Sequence, residues 1–206
     1  KAFGSELPLF AQLPVILGSD KIKLSKRHGA KSVLEYREEG FLKEAIINYM
    51  ALLGWNPGGD REIMDLATMI ELFDLKDVNT NSPIFDITKL EWMNGVYIRK
   101  FKIENLKLKI LEYLGGDYPE QLVEKTIPLV QERMKKLSDY IALCEFFFHA
   151  PKKFEIDFSS QRVLLGKTKD ALANLDSWQA ENLGETLKNL QEKLGVKSGD
   201  FFMILR

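Results

Sequence analysis

The sequence predicts a mainly α protein, and three observations carry that reading. Apolar residues recur at spacings of three and four over most of the 206 residues, the period of one helix face. Glycines fall just past several of these runs, where helices end in a left-handed residue. Beyond about residue 100 no stretch shows the apolar–polar alternation of a half-buried strand.

Taken in order, residues 1–20 are apolar without a helical period. Leu13–Leu17 reads as a short strand, and Gly18-Ser19-Asp20 as a turn after it. Ser32 and Glu35 form a capping box, with Gly40 placed to stop the helix they open. A second helix covers Phe41–Leu53, with Phe41, Ala45, Ile46, Tyr49, Met50 and Leu53 on its buried face. Gly54 ends it, and Asn56-Pro57-Gly58-Gly59 is a turn cluster. Met64–Phe73 is another helix, Asn79–Pro83 a loop, and Asp86–Asn94 a short helix ended by Gly95. Trp92 and Tyr97 read as hinge core in preference to surface contacts, since large aromatics favour burial. Glu104–Leu114 is amphipathic and stops at Gly115-Gly116. Ile127, Val130, Met134, Leu137, Ile141, Cys144 and Phe148 then form one stripe on a single long helix, with Pro128 tolerated in its first turn. His149 closes that helix beside its C-terminal dipole. Helices over Ser160–Leu175 and Trp178–Leu194, the latter followed by Gly195, and one beginning at Ser198, complete a bundle or superhelix.

Composition narrows the class. The chain has room for one large or two small domains. Its 45% hydrophobic and 29% charged content is ordinary for a globular protein. No apolar run approaches the roughly 20 residues of a membrane span, and KAFGSELPLF lacks the apolar core of a signal peptide. A cytoplasmic monomer with no membrane partner is expected. The single cysteine, Cys144, excludes an internal disulfide and reads as a small buried hydrophobe. One cysteine and two separated histidines argue against a zinc site, and no metal ligand is assigned. The net charge is −1, but it is unevenly spread. Lys1, Lys21, Lys23, Lys26, Arg27 and Lys31 face only Glu6 and Asp20 in the first 31 residues, whereas residues 60–91 are acidic. Distribution matters more than the sum for a nucleic-acid partner.

The chemistry concentrates at Lys23-Leu24-Ser25-Lys26-Arg27, followed by His28-Gly29. Two lysines three apart, a hydroxyl between them and a glycine after suit a polyphosphate: ammonium groups neutralise its oxygens, and glycine frees the loop. Short basic loops are also common as solvated charge clusters, so charge alone leaves both readings open.

The string is more specific than its charge. KLSKR resembles the KMSKS signature of class I aminoacyl-tRNA synthetases. With LPVILG before it, HGA after it, LLGW at Leu52–Trp55 and FDITKLEWMNGVYIR at Phe85–Arg99, the chain resembles the bacterial glutamyl-tRNA synthetases over its whole length. No HIGH-type signature occurs, which implies the carboxyl-terminal part of such an enzyme. The resemblance implies three regions: residues 1–20 as a remnant of the catalytic fold, 21–98 as the KMSKS-like loop and helical stem-contact domain, and 99–206 as an all-helical anticodon-binding domain, incomplete at its end. It implies ATP and Mg²⁺ as cofactors of the parent, glutamate and tRNA(Glu) as partners, and inactivity of this piece alone. The rival readings are a stand-alone helical tRNA-binding or interaction module, and glutaminyl-tRNA synthetase, whose anticodon domain is built of β-barrels.

The resemblance assigns residues as follows. Lys26 contacts ATP phosphates and stabilises charge growing in the transition state, with Lys23, Leu24, Ser25 and Arg27 completing the loop. Leu24 stands where the signature has Met, and Arg27 where it has Ser. Arg133, in LVQERMKKL, matches an arginine that reads an anticodon cytosine; without the resemblance it would read as a solvated arginine on an amphipathic helix. Arg206 matches another arginine near the anticodon. Apart from the resemblance, a phosphate contact needs only positive charge in reach, which makes Arg99 and Lys100 candidates for the tRNA backbone.

Overall fold

The computed structural model describes residues 4, 10–25, 27, 30–116, 118–151 and 157–205. The described residues form ten α-helices, short 3₁₀ turns and no sheet. The mainly α class therefore holds. The chain divides into two compact units, Lys1–Ala150 and Pro151–Arg206.

The strand expected at Leu13–Leu17 is reduced to a single residue. Leu17 makes isolated bridges to Lys23 and Ile84, and residues 10–16 are irregular. A ladder needs a partner of matching length, and here the partners on either side are a tight turn and a loop.

Helix α1 (Val33–Glu38) starts on the capping box as expected. Ser32 Oγ accepts from Glu35 N, and Glu35 Oε2 accepts from Ser32 N at 2.5 Å. α2 (Lys43–Gly54) buries Ala45, Asn48 and Tyr49, while Met50, expected inside, is 49% exposed. The inward face is rotated onto Asn48 because that amide has work there: its Oδ1 accepts from Met64 N at 2.9 Å and lies 2.8 Å from the Tyr97 hydroxyl. α3 (Leu66–Leu72) is capped by Asp65, whose carboxylate accepts from Thr68 N at 2.8 Å.

α4 (Ile87–Lys100) runs through Gly95 instead of ending there. Gly95 is buried, and a Cβ on it would sit 3.3 Å from Met134 O and 3.6 Å from Lys135 Cα. The glycine lets two backbones approach and does not stop the helix. Of the expected hinge aromatics, Tyr97 is half-buried with its hydroxyl against Met64 O, but Trp92 is 43% exposed.

α5 (Ile103–Leu114) ends on Gly115 at φ +61°. The single helix expected over Ile127–Phe148 is two helices. α6 (Glu120–Val130) gives way to a 3₁₀ turn at Gln131–Arg133, and α7 (Asp139–Phe148) follows. Pro128 lies near the end of α6, not in a first turn. Side chains hold the break open. Asp139 Oδ2 accepts from Lys135 N and Lys136 N at 2.8 and 2.9 Å, and the Gln131 amide donates to Ile98 O and Phe101 O. The stripe nevertheless stays buried. Ile127, Val130, Met134, Leu137 and Cys144 share a core with Leu106, Ile110 and Tyr140, because the turn folds its apolar side onto the same interior. His149 caps α7, its N–H donating to Glu145 O.

In the second unit α8 (Arg162–Ala173), α9 (Ala180–Leu194) and α10 (Ser198–Leu205) stand where the periodicity put them, and Gly195 at φ +64° ends α9. Helices thus persist through the described residues of 157–205, against the β-barrel anticodon domain that the rival glutaminyl reading implies.

Candidate nucleotide loop and nucleic-acid interface

The loop's stem is tied to the chain entering α4. Leu17 N donates to Pro83 O at 2.9 Å, and Leu17 O accepts from Phe85 N at 2.8 Å. The stem then turns back on itself. Gly18 N donates to Ile22 O, Lys21 N to Gly18 O, and Leu24 N to Ile16 O. Lys21 takes φ +62°, and the Asp20 carboxylate accepts from Ile22 N at 2.9 Å. This is a three-residue hairpin loop whose left-handed position usually carries glycine. Past it, Ala30 N donates to Ser25 O at 3.0 Å and closes the base of the loop. Lys23 and Arg27 are exposed, while Leu24 and Ser25 are half-buried. Lys26 lies outside the described residues, as do His28, Gly29 and Arg206.

A second cationic surface forms along the middle and last turn of α4, from Glu91 to Arg99. Arg133 is exposed and sits on the 3₁₀ turn, not on a regular helix as expected. The turn continues through Lys135 and Lys136, whose Nζ atoms lie 3.9 and 3.6 Å from the Glu91 carboxylate. Arg99, half-buried, reaches the same place: its Nη1 would be 3.1 Å from a Cβ on Gly95, beside the Lys135 backbone. Arg99 and the turn therefore meet over one glycine, with exposed Trp92 one turn back on α4. Lys100 is exposed beside Arg99.

What positions this surface was not visible in the pattern of the chain. Asn94 is fully buried; its Oδ1 accepts from Leu42 N at 2.8 Å and its amide donates to Lys135 O at 2.5 Å. The Asn-Gly pair reads as a turn signal in sequence, and a polar residue at a core position leaves no periodic trace. Cys144 is buried behind the turn, and burial pushes its thiol pKa up, so it stays neutral and inert. Among the described residues no three His, Cys, Asp or Glu side chains gather to hold a metal ion. None of their helices is long and apolar enough to cross a membrane.

Comparison with known proteins gives a consistent picture. A family model described as an anticodon binding domain matches residues 102–206. A second, described as the catalytic domain of class I tRNA synthetases (E and Q), matches residues 1–92. The glutamate–tRNA ligase of Moorella thermoacetica is 38% identical over 218 residues, which is 98% of this chain and 44% of that protein. The ligase of Clostridium acetobutylicum is 35% identical, covering 100% of this chain and 45% of its own length. The crystal structure of a glutamate tRNA ligase from Elizabethkingia meningosepticum, in complex with its amino acid, superposes with a TM-score of 0.80 at 32% identity. It covers all of this chain and 46% of that one. The chain thus spans a little under half the length of the relatives it matches.

Proposed function

The chain belongs to the glutamate–tRNA ligase family of class I tRNA synthetases, and from that premise we propose that it supplies the ATP-phosphate loop and the tRNA-binding face of an enzyme that joins glutamate to tRNA(Glu). The observation that carries the proposal is the pairing of two cationic surfaces by one helix. The loop stem is laced to the start of α4, and further along the same helix Arg99 and the Lys135 backbone meet over Gly95, on the segment that carries exposed Arg133 two residues earlier.

In this reading the glutamate carboxylate attacks the α-phosphorus of ATP and pyrophosphate leaves. The ammonium of Lys26, carried on the loop with Lys23, Ser25 and Arg27, stabilises the charge that builds on the leaving phosphates. Leu24, half-buried, anchors the loop. Such phosphate contacts speed the step only if they strengthen in the transition state. The described residues offer no carboxylate cluster for magnesium. That ion is commonly held by nucleotide phosphates and water, and no step derived from this chain runs through it. The attack on ATP leaves glutamate joined to AMP; a tRNA hydroxyl then takes the glutamyl group and AMP leaves. Arg133 reads an unpaired anticodon base by hydrogen bonding and guanidinium stacking, Arg99 and Lys100 hold backbone phosphates, and Arg206 adds a further contact near the anticodon. The stem-contact region is assigned to residues 21–98 and the anticodon-binding region to 99–206. The working form is a cytoplasmic monomer, and the 206-residue chain alone is expected to show no glutamate-dependent ATP–pyrophosphate exchange.

The test is binding of labelled tRNA(Glu) to this chain across a salt series. Arg133→Ala and an anticodon-mutated tRNA are each expected to cost about 1–3 kcal/mol, with costs that do not add. Binding indifferent to the anticodon and to Arg133 would sink the anticodon assignment.

A further inference from the structure

We propose that Asn94 is a positioning residue for tRNA recognition: its side chain fixes the irregular turn that presents Arg133 and Lys135. The inference rests on the RNA-binding role given to Arg133 above. Its grounds are geometric. The segment Gln131–Ser138 leaves the regular helical ladder and keeps few main-chain bonds, with Met134 N donating to Val130 O and Gln131 O and Leu137 N to Gly40 O, so side chains that reach its backbone add to its hold. Two do so. Asp139, which adjoins the turn, accepts from Lys135 N and Lys136 N, whereas the Gln131 side chain ties the start of the turn to Ile98 O and Phe101 O. Asn94 is the second, a buried side chain that comes from the middle of α4. It bridges two separate chain segments through one amide, accepting from Leu42 N and donating to Lys135 O. Gly95 beside it removes the Cβ that would push the turn away. An amide is suited to this place because it offers one acceptor and one donor in a fixed plane.

The variant that separates positioning from bulk is Asn94→Asp. It is nearly isosteric and still accepts from Leu42 N, but an ionised carboxylate turns an oxygen toward Lys135 O. Repulsion should free the turn. Protonation restores an O–H donor facing Lys135 O and a carbonyl facing Leu42 N, the pattern of the original amide. Burial and the neighbouring carbonyl both favour the neutral acid, so the introduced group titrates above the ordinary carboxylate range. The defect should therefore be present at high pH and recede as pH falls through that raised pKa.

The experiment uses the whole 206-residue chain, with amide hydrogen exchange read at residues 133–137 and binding read with an anticodon stem-loop RNA of glutamate sequence. At about pH 8 Asn94→Asp is expected to speed exchange in that segment and weaken binding by about tenfold, and by about pH 5 both changes recede relative to wild type. Adding Arg133→Ala to Asn94→Asp should cost less than Arg133→Ala alone, because an arginine on a loosened turn has less to lose. Asn48→Asp, a buried amide of α2 that touches Met64 and Tyr97 instead of the turn, is the control and should leave the Arg133 cost unchanged. Unchanged exchange at 133–137 overturns the positioning role whatever RNA does. Faster exchange with losses that multiply independently overturns its link to recognition. If Arg133→Ala alone leaves RNA binding intact, the RNA-binding role itself fails, and this inference falls with it.

Discussion

Gly40 carries more of the first unit's geometry than its place between two helices suggests. It sits at φ +87°, and a Cβ there would lie 2.7 Å from Ser138 N and 2.9 Å from Leu137 N. Its carbonyl accepts from Leu137 N, and Ser138 Oγ donates to the adjacent Glu39 O. The glycine is thus needed for its left-handed backbone and for a backbone-to-backbone approach at once. Gly40→Ala should destabilise the chain by about 2–4 kcal/mol, combining the left-handed penalty with forced separation of two main chains. Urea unfolding measures it; a loss below about 1 kcal/mol would mean the Leu137–Ser138 strip yields easily. Cys144 gives a chemical counterpart. Burial raises its thiol pKa, and the side chain is fully buried in the core that holds Ile127 and Tyr140. Alkylation at neutral pH should be slow in the native protein and rapid in denaturant, since the thiolate is the nucleophile. Rapid native labelling would show that the α6–α7 core opens.

At the scale of the element, helix ends are chemical events. The Asp65 carboxylate accepts from Thr68 N, and those bonds hold its pKa below the ordinary carboxylate range. A depressed folded pKa means the cap contributes stability above the unfolded value near 3.9, lost as pH falls through the folded value. α3 should accordingly fray at strongly acid pH before α2 does, and Asp65→Asn, which keeps the acceptor without the titration, should flatten that dependence in amide exchange. Caps of this kind were also what the sequence made legible: the Ser32–Glu35 box opens a helix, and Gly115, Gly195 and His149 close helices, where composition puts them. What was illegible depends on partners far along the chain. Gly95 has the composition of a stop, yet contact with Met134 and Lys135 makes it a packing position. The stripe from Ile127 to Phe148 keeps its period through a non-helical turn, because burial preserves inward spacing while Asp139 and Gln131 rearrange the backbone. Leu13–Leu17 has strand composition without a strand to pair with. The candidate site divided the same way. The loop string and Arg133 were visible as residues, whereas Asn94, which joins α4 to the turn, has no local signature.

On the scale of the whole molecule, the two units differ in how they bury side chains. The first holds contiguous clusters, one built around Leu106, Ile110, Ile127, Met134 and Tyr140, another around Tyr49, Leu90 and Met93. Among the described residues of the second, only Thr168 and Phe201 are buried, and α9 buries none. Apolar burial is the main force opposing chain entropy. The slowest amides of α8–α10 should therefore exchange through local or sub-global opening, at a lower free energy than those of α4–α6. Phe201→Ala should remove much of the protection that remains, because it takes the one fully buried aromatic from a set of three helices; large-to-small changes at such sites cost about 3–5 kcal/mol. The same change should leave the slowest amides of α4–α6 where they were. If instead all ten helices share one protection free energy and fall together in the Phe201→Ala variant, the chain unfolds as a single cooperative body, and the division at Ala150 has no energetic meaning.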